Sequence, residues 1–194
     1  MTAESKLKKH IIDPFARNMG QKLQSYRYHD ICGEDQLLTN NQGIDVISHQ
    51  LELQFEGNAP IFISWATIDG WHQFSLSISE NSFCDGVEIF TPQKDQWEQL
   101  IGKRLQGLQV FGYRENEITT IECGTNKQTT DLYYNEPHLL VLEFENNLPL
   151  GIANFYLADD FKPKLPMGDD IWILFRREDI VQFAEKLFLE RLDH

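Results

Sequence analysis

Cations are scarce in this chain: its 194 residues hold 17 Lys and Arg against 30 Asp and Glu, a formal charge of −13. That balance excludes nucleic acid and anionic membrane as main partners, because both favour basic patches. Cysteine is scarce too. Cys32, Cys84 and Cys123 stand far apart with no CxxC between them. Neither a zinc knuckle nor a disulfide framework is indicated, and three reduced thiols in a cytoplasmic protein are expected. No apolar run approaches the ~18–20 residues of a membrane span. Residues 1–20 do not read as a secretory signal: Lys6, Lys8 and Lys9 imitate its charged start, but Asp13, Pro14, Arg17 and Asn18 deny it an apolar core. The glycine patterns of phosphate-binding loops are missing, as are GxSxG and HExxH. The sequence therefore predicts no enzyme, no cofactor and no metal.

What is present is repetition. His49-Gln-Leu-Glu-Leu-Gln-Phe-Glu-Gly-Asn-Ala-Pro60 matches His138-Leu-Leu-Val-Leu-Glu-Phe-Glu-Asn-Asn-Leu-Pro149 at seven of twelve positions. The identities are His49/His138, Leu51/Leu140, Leu53/Leu142, Phe55/Phe144, Glu56/Glu145, Asn58/Asn147 and Pro60/Pro149. Upstream, Gly20–Gln24 echoes Gly102–Gln106, and downstream Asp85–Phe90 is matched to Asp170–Phe175. Internal repeats are the first thing to seek, and differing offsets between matched segments mean loop insertions. We read an N-terminal helical segment (1–19), a first copy (20–101) and a second copy (102–194).

In each copy the repeat alternates apolar and polar residues. Leu51, Leu53 and Phe55 interleave with Glu52, Gln54 and Glu56. Period two predicts a half-buried antiparallel strand with Glu52 and Gln54 on the exposed face. Gly57-Asn58 breaks it, and Ile61, Ile63 and Trp65 resume the alternation, so a hairpin is expected. Leu140, Leu142, Phe144, Asn146-Asn147, Leu150 and Ile152 repeat that pattern. Further strands are predicted at 23–28, 44–48, 74–78, 87–90, 105–113, 117–123, 132–134 and 171–175. Helices are predicted at 95–102 and 178–192, the second from the spacing of Ile180, Phe183, Ala184, Leu187, Phe188 and Leu192. Leu7, Ile11, Phe15 and Met19 predict a short helix, a break at Asp13-Pro14 and another turn. The expected fold class is α+β: two copies of an antiparallel β-sheet unit, each closed by a helix, in one pseudo-twofold domain. No Pro/Gly/Ser linker separates them.

Candidate chemistry is sparse. His49 and His138 are paired by the repeat, but no second His or Cys lies at ligand spacing, so strand-entry histidines are expected. Cys84-Asp85 would need a distant histidine to act as a thiol nucleophile, and no third group is identifiable. Asp159-Asp160 and Asp169-Asp170 could together hold a hard cation or act as paired carboxylates, but with Lys162 and Lys164 between them to neutralise part of the charge, two solvated loop corners are expected. The counterpart of this loop in the first copy holds Asp69 and Trp71, against Phe161 in the second. The charge is unevenly placed: residues 20–101 carry twelve acids and only Lys22, Arg27 and Lys94. A fold needs no such imbalance; solubility alone is one account of it, and a surface that steers and captures a basic partner is the functional alternative.

The Leu-Glu-Leu-Gln-Phe-Glu-Gly-Asn hairpin at 51–58, its copy at 140–147 and the Asp-Asp-Ile-Trp-Ile-Leu-Phe strand at 169–175 resemble bacterial immunity proteins of contact-dependent and polymorphic toxin systems. The resemblance implies a small, acidic, cytoplasmic, cofactor-free α+β protein that binds and blocks one toxin, often a basic nuclease. The expected function is non-enzymatic capture of a basic protein by Asp69, Trp71, Asp159, Asp160, Phe161, Asp169 and Asp170. A homo-oligomer built on strand edges is compatible with it. The alternative is a small-molecule or enzymatic pocket between the copies, lined by Trp65, Trp71, Phe161 and Trp172.

Overall fold

The computed structural model describes residues 6–39, 43–66, 68, 75–123, 126–155 and 170–193. Asp69, Trp71, Asp159, Asp160, Phe161 and Asp169 lie outside them. The described chain is α+β, with most residues in two antiparallel sheets. Its strands are β1 (Leu23–Asp30), β2 (Leu38–Thr39), β3 (Asp45–Ile47), β4 (Gln50–Phe55), β5 (Ile61–Ala66) and β6 (Ser75–Ser79). They continue as β7 (Glu88–Phe90), β8 (Leu105–Cys123), β9 (Asn126–Phe144), β10 (Leu148–Phe155), β11 (Asp170–Leu174) and β12 (Glu190–Arg191). The α-helices are α1 (Asp13–Ala16), α2 (Asp95–Leu100) and α3 (Arg177–Lys186). The first sheet runs β6-β5-β4-β1-β7 and the second β12-β8-β9-β10-β11-β3-β2.

Both predicted hairpins form. β4 pairs with β5 through Leu51↔Ile63 and Leu53↔Ile61, and β9 with β10 through Leu140↔Ile152 and Leu142↔Leu150. Their turns need a left-handed residue, supplied by Gly57 (φ 75°) in one and Asn146 (φ 67°) in the other. Glycine meets no Cβ penalty there, and asparagine is the side chain that tolerates it best. Each hairpin also pairs with the strand that precedes it. Leu23 opposes Phe55 and Leu105 opposes Phe144, and each ladder then shifts by one residue, between Leu23 and Ser25 and between Leu105 and Gly107.

The two sheets are joined where β1 and β8 begin, through an exchange of hydrogen bonds. Gly20 N–H donates to Leu105 O and Gly102 N–H to Leu23 O, both at 2.8 Å. Leu23 N–H donates to Lys103 O at 2.9 Å and Leu105 N–H to Gln21 O at 3.0 Å. Lys22 and Arg104 form the bridge at the centre. Glu56 N–H closes on Lys22 O and Glu145 N–H on Arg104 O. Beneath them the Phe55 and Phe144 rings stack, 6.5 Å apart and 8° from parallel.

One core lies between the sheets. Leu51, Leu53, Phe55 and Ile63 meet Leu140, Leu142, Phe144 and Ile152, all fully buried, and Leu7, Ile11 and Phe15 close one end. A second core lies on the far face of the second sheet. There Val46, Leu139, Val141, Trp172 and Leu174 pack under Ile180, Phe183 and Leu187 of α3 and the turn after it. Burial on both faces explains the unbroken Leu139–Leu142 run.

Several expectations are corrected. β7 pairs with β1, whereas β11 lies between β10 and β3, so Asp85–Phe90 and Asp170–Phe175 do not hold matching positions; β6 does, beside β5. The helix predicted to run to 192 ends at Lys186, because Phe188 takes φ 54° and turns the chain out, 85% exposed. Leu192 is instead buried beyond β12, its N–H on Val110 O. At the N-terminus no break separates two helices: a π-helical turn (Lys8–Ile12) passes directly into α1, and Met19 is exposed. The strands predicted at 105–113, 117–123 and 132–134 belong to one hairpin of two 19-residue strands.

Candidate functional site

Register places Gln50, Glu52 and Ser64 of the first sheet where the second has Leu139, Val141 and Ala153. The second set lies under α3; the first is polar. Its centre is His29, opposite Gln50 on β1. Gln50 Nε2 donates to His29 Nδ1 at 3.0 Å, and His29 Nε2–H donates to Glu52 Oε2 at 2.9 Å. Gln50 also donates to Ser82 Oγ at 2.8 Å and accepts from Phe83 N–H at 2.9 Å, which fixes its amide orientation. Arg27 stands 3.5 Å from the other Glu52 oxygen. Glu52, predicted to be exposed, is thus 7% exposed. A carboxylate survives such burial only with partners of this kind.

This cluster resembles a His–Glu dyad beside a cysteine, yet its hydrogen bonds argue against that chemistry. Both ring nitrogens of His29 are engaged, so neither is open to take a proton from a substrate or thiol. Cys84 is half-buried, and burial together with the Asp85 carboxylate pushes its thiol above the ordinary value, against a hydrogen bond with Ser82. A thiol held protonated is a poor nucleophile.

A second ionic network holds the first sheet to the second. Asp45 is fully buried; its Oδ2 accepts from Tyr28 O–H at 2.8 Å and its Oδ1 from Thr39 O–H at 2.7 Å. Lys94 Nζ closes on the same carboxylate. Trp97 Nε1–H donates to the Tyr28 oxygen at 2.8 Å. Lys94 and Arg27 are therefore engaged by the internal acids Asp45 and Glu52. No Lys or Arg stands between them in sequence. Glu34, Asp35, Glu56, Asp85 and Glu88 in that stretch are exposed and make no ion pair among the described residues.

Of the predicted site residues, only Asp170 is described: it is half-buried, opens β11 and stands opposite Phe155. His49 and His138 hold unlike environments. His49 is half-buried, whereas His138 is 1% exposed with Nδ1 3.1 Å from Asn154 Oδ1 and Nε2 3.8 Å from Glu136 Oε2. Asn154 Nδ2 is buried without a hydrogen-bond partner. Trp65 packs on the core between the sheets and Trp172 in the core under α3, so the two cannot line one pocket. A groove of about 200 Å³ does lie between α2 and the start of β10, lined by Gln96, Gln99, Leu148, Pro149, Phe175 and Arg176. Its one charged group, Arg176, is held by both oxygens of Asp179 at 2.7 Å.

Sequence reasoning missed the exposed apolar residues Ile31 (66%), Ile89 (54%) and Phe83 (38%). The one signal for them was an apolar residue isolated among acids and glycine, as in Asp30-Ile-Cys-Gly-Glu34. Among the described residues no group of three or more His, Cys, Asp or Glu could hold a metal ion, and no helix is long and apolar enough to cross a membrane. No protein-family model, curated protein or solved structure matches the chain.

Proposed function

We propose that this chain is a non-enzymatic binding protein that captures a basic protein, as an immunity protein captures its toxin. One observation carries the reading: the stretch from Arg27 to Lys94 has acids throughout and no Lys or Arg between its ends, while Lys94 is taken up by the buried Asp45 and Arg27, itself exposed, stands 3.5 Å from Glu52. Uncompensated surface charge of one sign costs stability through self-repulsion, and it accelerates encounter with an opposite charge. The acid loop at 159–170 and Asp69 belong to the same proposal, as does residence in the cytoplasm. The test is co-purification from the native host, with the retained protein identified and expressed alone. A partner rich in Lys and Arg that arrests growth alone, and not when this chain is co-expressed, is the expected result. A neutral or acidic partner, or an arrest that this chain does not relieve, overturns the reading.

We also infer that the chain arose by duplication of one sheet unit in pseudo-twofold symmetry. The exchanged hydrogen bonds about Lys22 and Arg104, the matched bulges after Leu23 and Leu105, and the shared orders β6-β5-β4-β1 and β11-β10-β9-β8 support it. They favour copies that begin earlier than Gly20 and Gly102, at Asp13 and Asp95. There Asp13-Pro-Phe15 and Asp95-Gln-Trp97 each open a short helix, and each helix leads into its sheet.

A further inference from the structure

The proposed capture needs a place, and the first sheet offers one outside the predicted residues. β7 is the terminal strand of that sheet. Ile89 stands opposite His29, and Ile31 follows His29 by two residues. Phe83 is tied to the same point, since its N–H holds Gln50, which holds His29. The edge of the His29 ring meets Phe62, 5.8 Å between centroids. Three exposed apolar residues thus stand on segments that chain adjacency, strand pairing or a backbone hydrogen bond ties to the His29–Gln50 pair. Acids flank them: Glu88 precedes Ile89 and accepts from Glu34 N–H at 3.2 Å, and Asp85 follows Phe83 by two residues. The nearest cation in sequence is Arg27, two residues before His29; its side chain is exposed and stands 3.5 Å from Glu52.

We propose that Ile31, Phe83 and Ile89, with Glu34, Asp85 and Glu88 around them, form the docking surface for a basic partner that presents an apolar side chain among lysines or arginines. The inference rests on the acidic-capture reading and gives it an address. Small apolar anchors inside a charged rim are the usual anatomy of a tight interface, with the rim setting the encounter rate and the anchors the lifetime. Charge selects the occupant. A second copy of this chain would bring the same acids against themselves, at −13 per chain. A basic surface meets them with opposite sign.

The test uses the full-length, isotope-labelled protein and a synthetic ten-residue peptide of lysines with two interspersed leucines, followed by amide NMR at low salt. Shifts centred on Ile31, Phe83 and Ile89 are expected. Glu34→Lys with Glu88→Lys should weaken binding by about tenfold and flatten its salt dependence. Ile31→Ser with Ile89→Ser should weaken it about fivefold and leave the salt slope unchanged. All four positions are exposed, and mapping on the unmodified protein depends on no variant. Shifts centred on another face, or variants that bind like the parent, overturn the address and leave acidic capture standing. No binding at low salt removes both. A dimer in sedimentation that Ile89→Ser dissolves would assign the surface to a second copy and overturn the basic partner.

Discussion

Tyr28→Phe removes one oxygen from the buried network around Asp45. The ring stays, so packing against Trp97 and Phe90 is kept. What goes is the acceptor for Trp97 Nε1–H and a donor to Asp45, in a site where Tyr28, Asp45 and Trp97 are all 0% exposed. An unpaired buried donor costs about 1–3 kcal/mol, and a lost hydrogen bond to a carboxylate about 1.5–3. The two losses share one atom and are not fully additive, so a destabilisation of about 2–4 kcal/mol is expected. Thr39→Val is the internal comparison. Thr39 donates to the same carboxylate but is itself exposed, so water can replace it and the loss should stay near 1 kcal/mol or below. Urea melts read by circular dichroism give both values, with an unchanged m-value confirming that the native state is intact. If Tyr28→Phe costs under about 0.5 kcal/mol, or less than Thr39→Val, the network does not hold the sheets together.

Two further perturbations are sharp enough to fail. Gly20 and Gly102 both take φ 78°, and a Cβ at either would find no atom within 4 Å, so alanine there meets only the backbone penalty of about 1–2 kcal/mol. The proposed duplication requires similar losses at the two sites; a neutral result at one and a full loss at the other would break the equivalence. Alkaline pH should also weaken the fold. Burial, then Asp45 and Glu98, push the Tyr26 hydroxyl up to about 12, and burial and Asp45 raise Tyr28 well above 10. The unfolded chain releases these protons near pH 10 while the native state keeps them, so stability falls as pH rises from 10 towards 12. Urea melts at pH 8, 10 and 11, with absorbance at 295 nm to follow tyrosinate, should show melting midpoint and ionisation moving together; a midpoint flat across that range contradicts the burial of the two hydroxyls.

The hairpins were legible because period two needs only local sequence, and Leu53, Phe55, Leu142 and Phe144 are buried as the alternation requires. Alternation names a face but not its depth. Glu52 is on the polar face, yet His29 on β1, which neither the alternation nor the repeat singles out, reaches across and buries it. Helix ends were less legible. The spacing through Leu192 satisfies helical periodicity, but Phe188 adopts a left-handed angle that no side-chain pattern announces. The proposed docking surface was illegible for a related reason: Ile31, Phe83 and Ile89 come from three separate segments, linked only by the β1–β7 pairing and the Gln50 hydrogen bonds.

The outer faces of the two sheets differ in a way that explains the uneven charge. On the second sheet Leu139, Val141, Ala153 and Trp172 are apolar because α3 supplies Ile180 and Phe183 to cover them. On the first, the positions in the same register are Gln50, Glu52, Ser64 and Ser77, and His29, Ser82 and Arg27 satisfy the first two. An apolar face without a helix would be a site of aggregation. A polar face that is internally satisfied can remain at the surface. Among the described residues, Glu34, Asp85 and Glu88 make no ion pair; the Glu88 carboxylate accepts a hydrogen bond from Glu34 N–H and lies against Gly33. These three acids are thus not tied up in ion pairs within the described residues. Within the proposed duplication, one copy covers its outer face with its own helix, and the proposed capture of a basic partner would use the face the other leaves open.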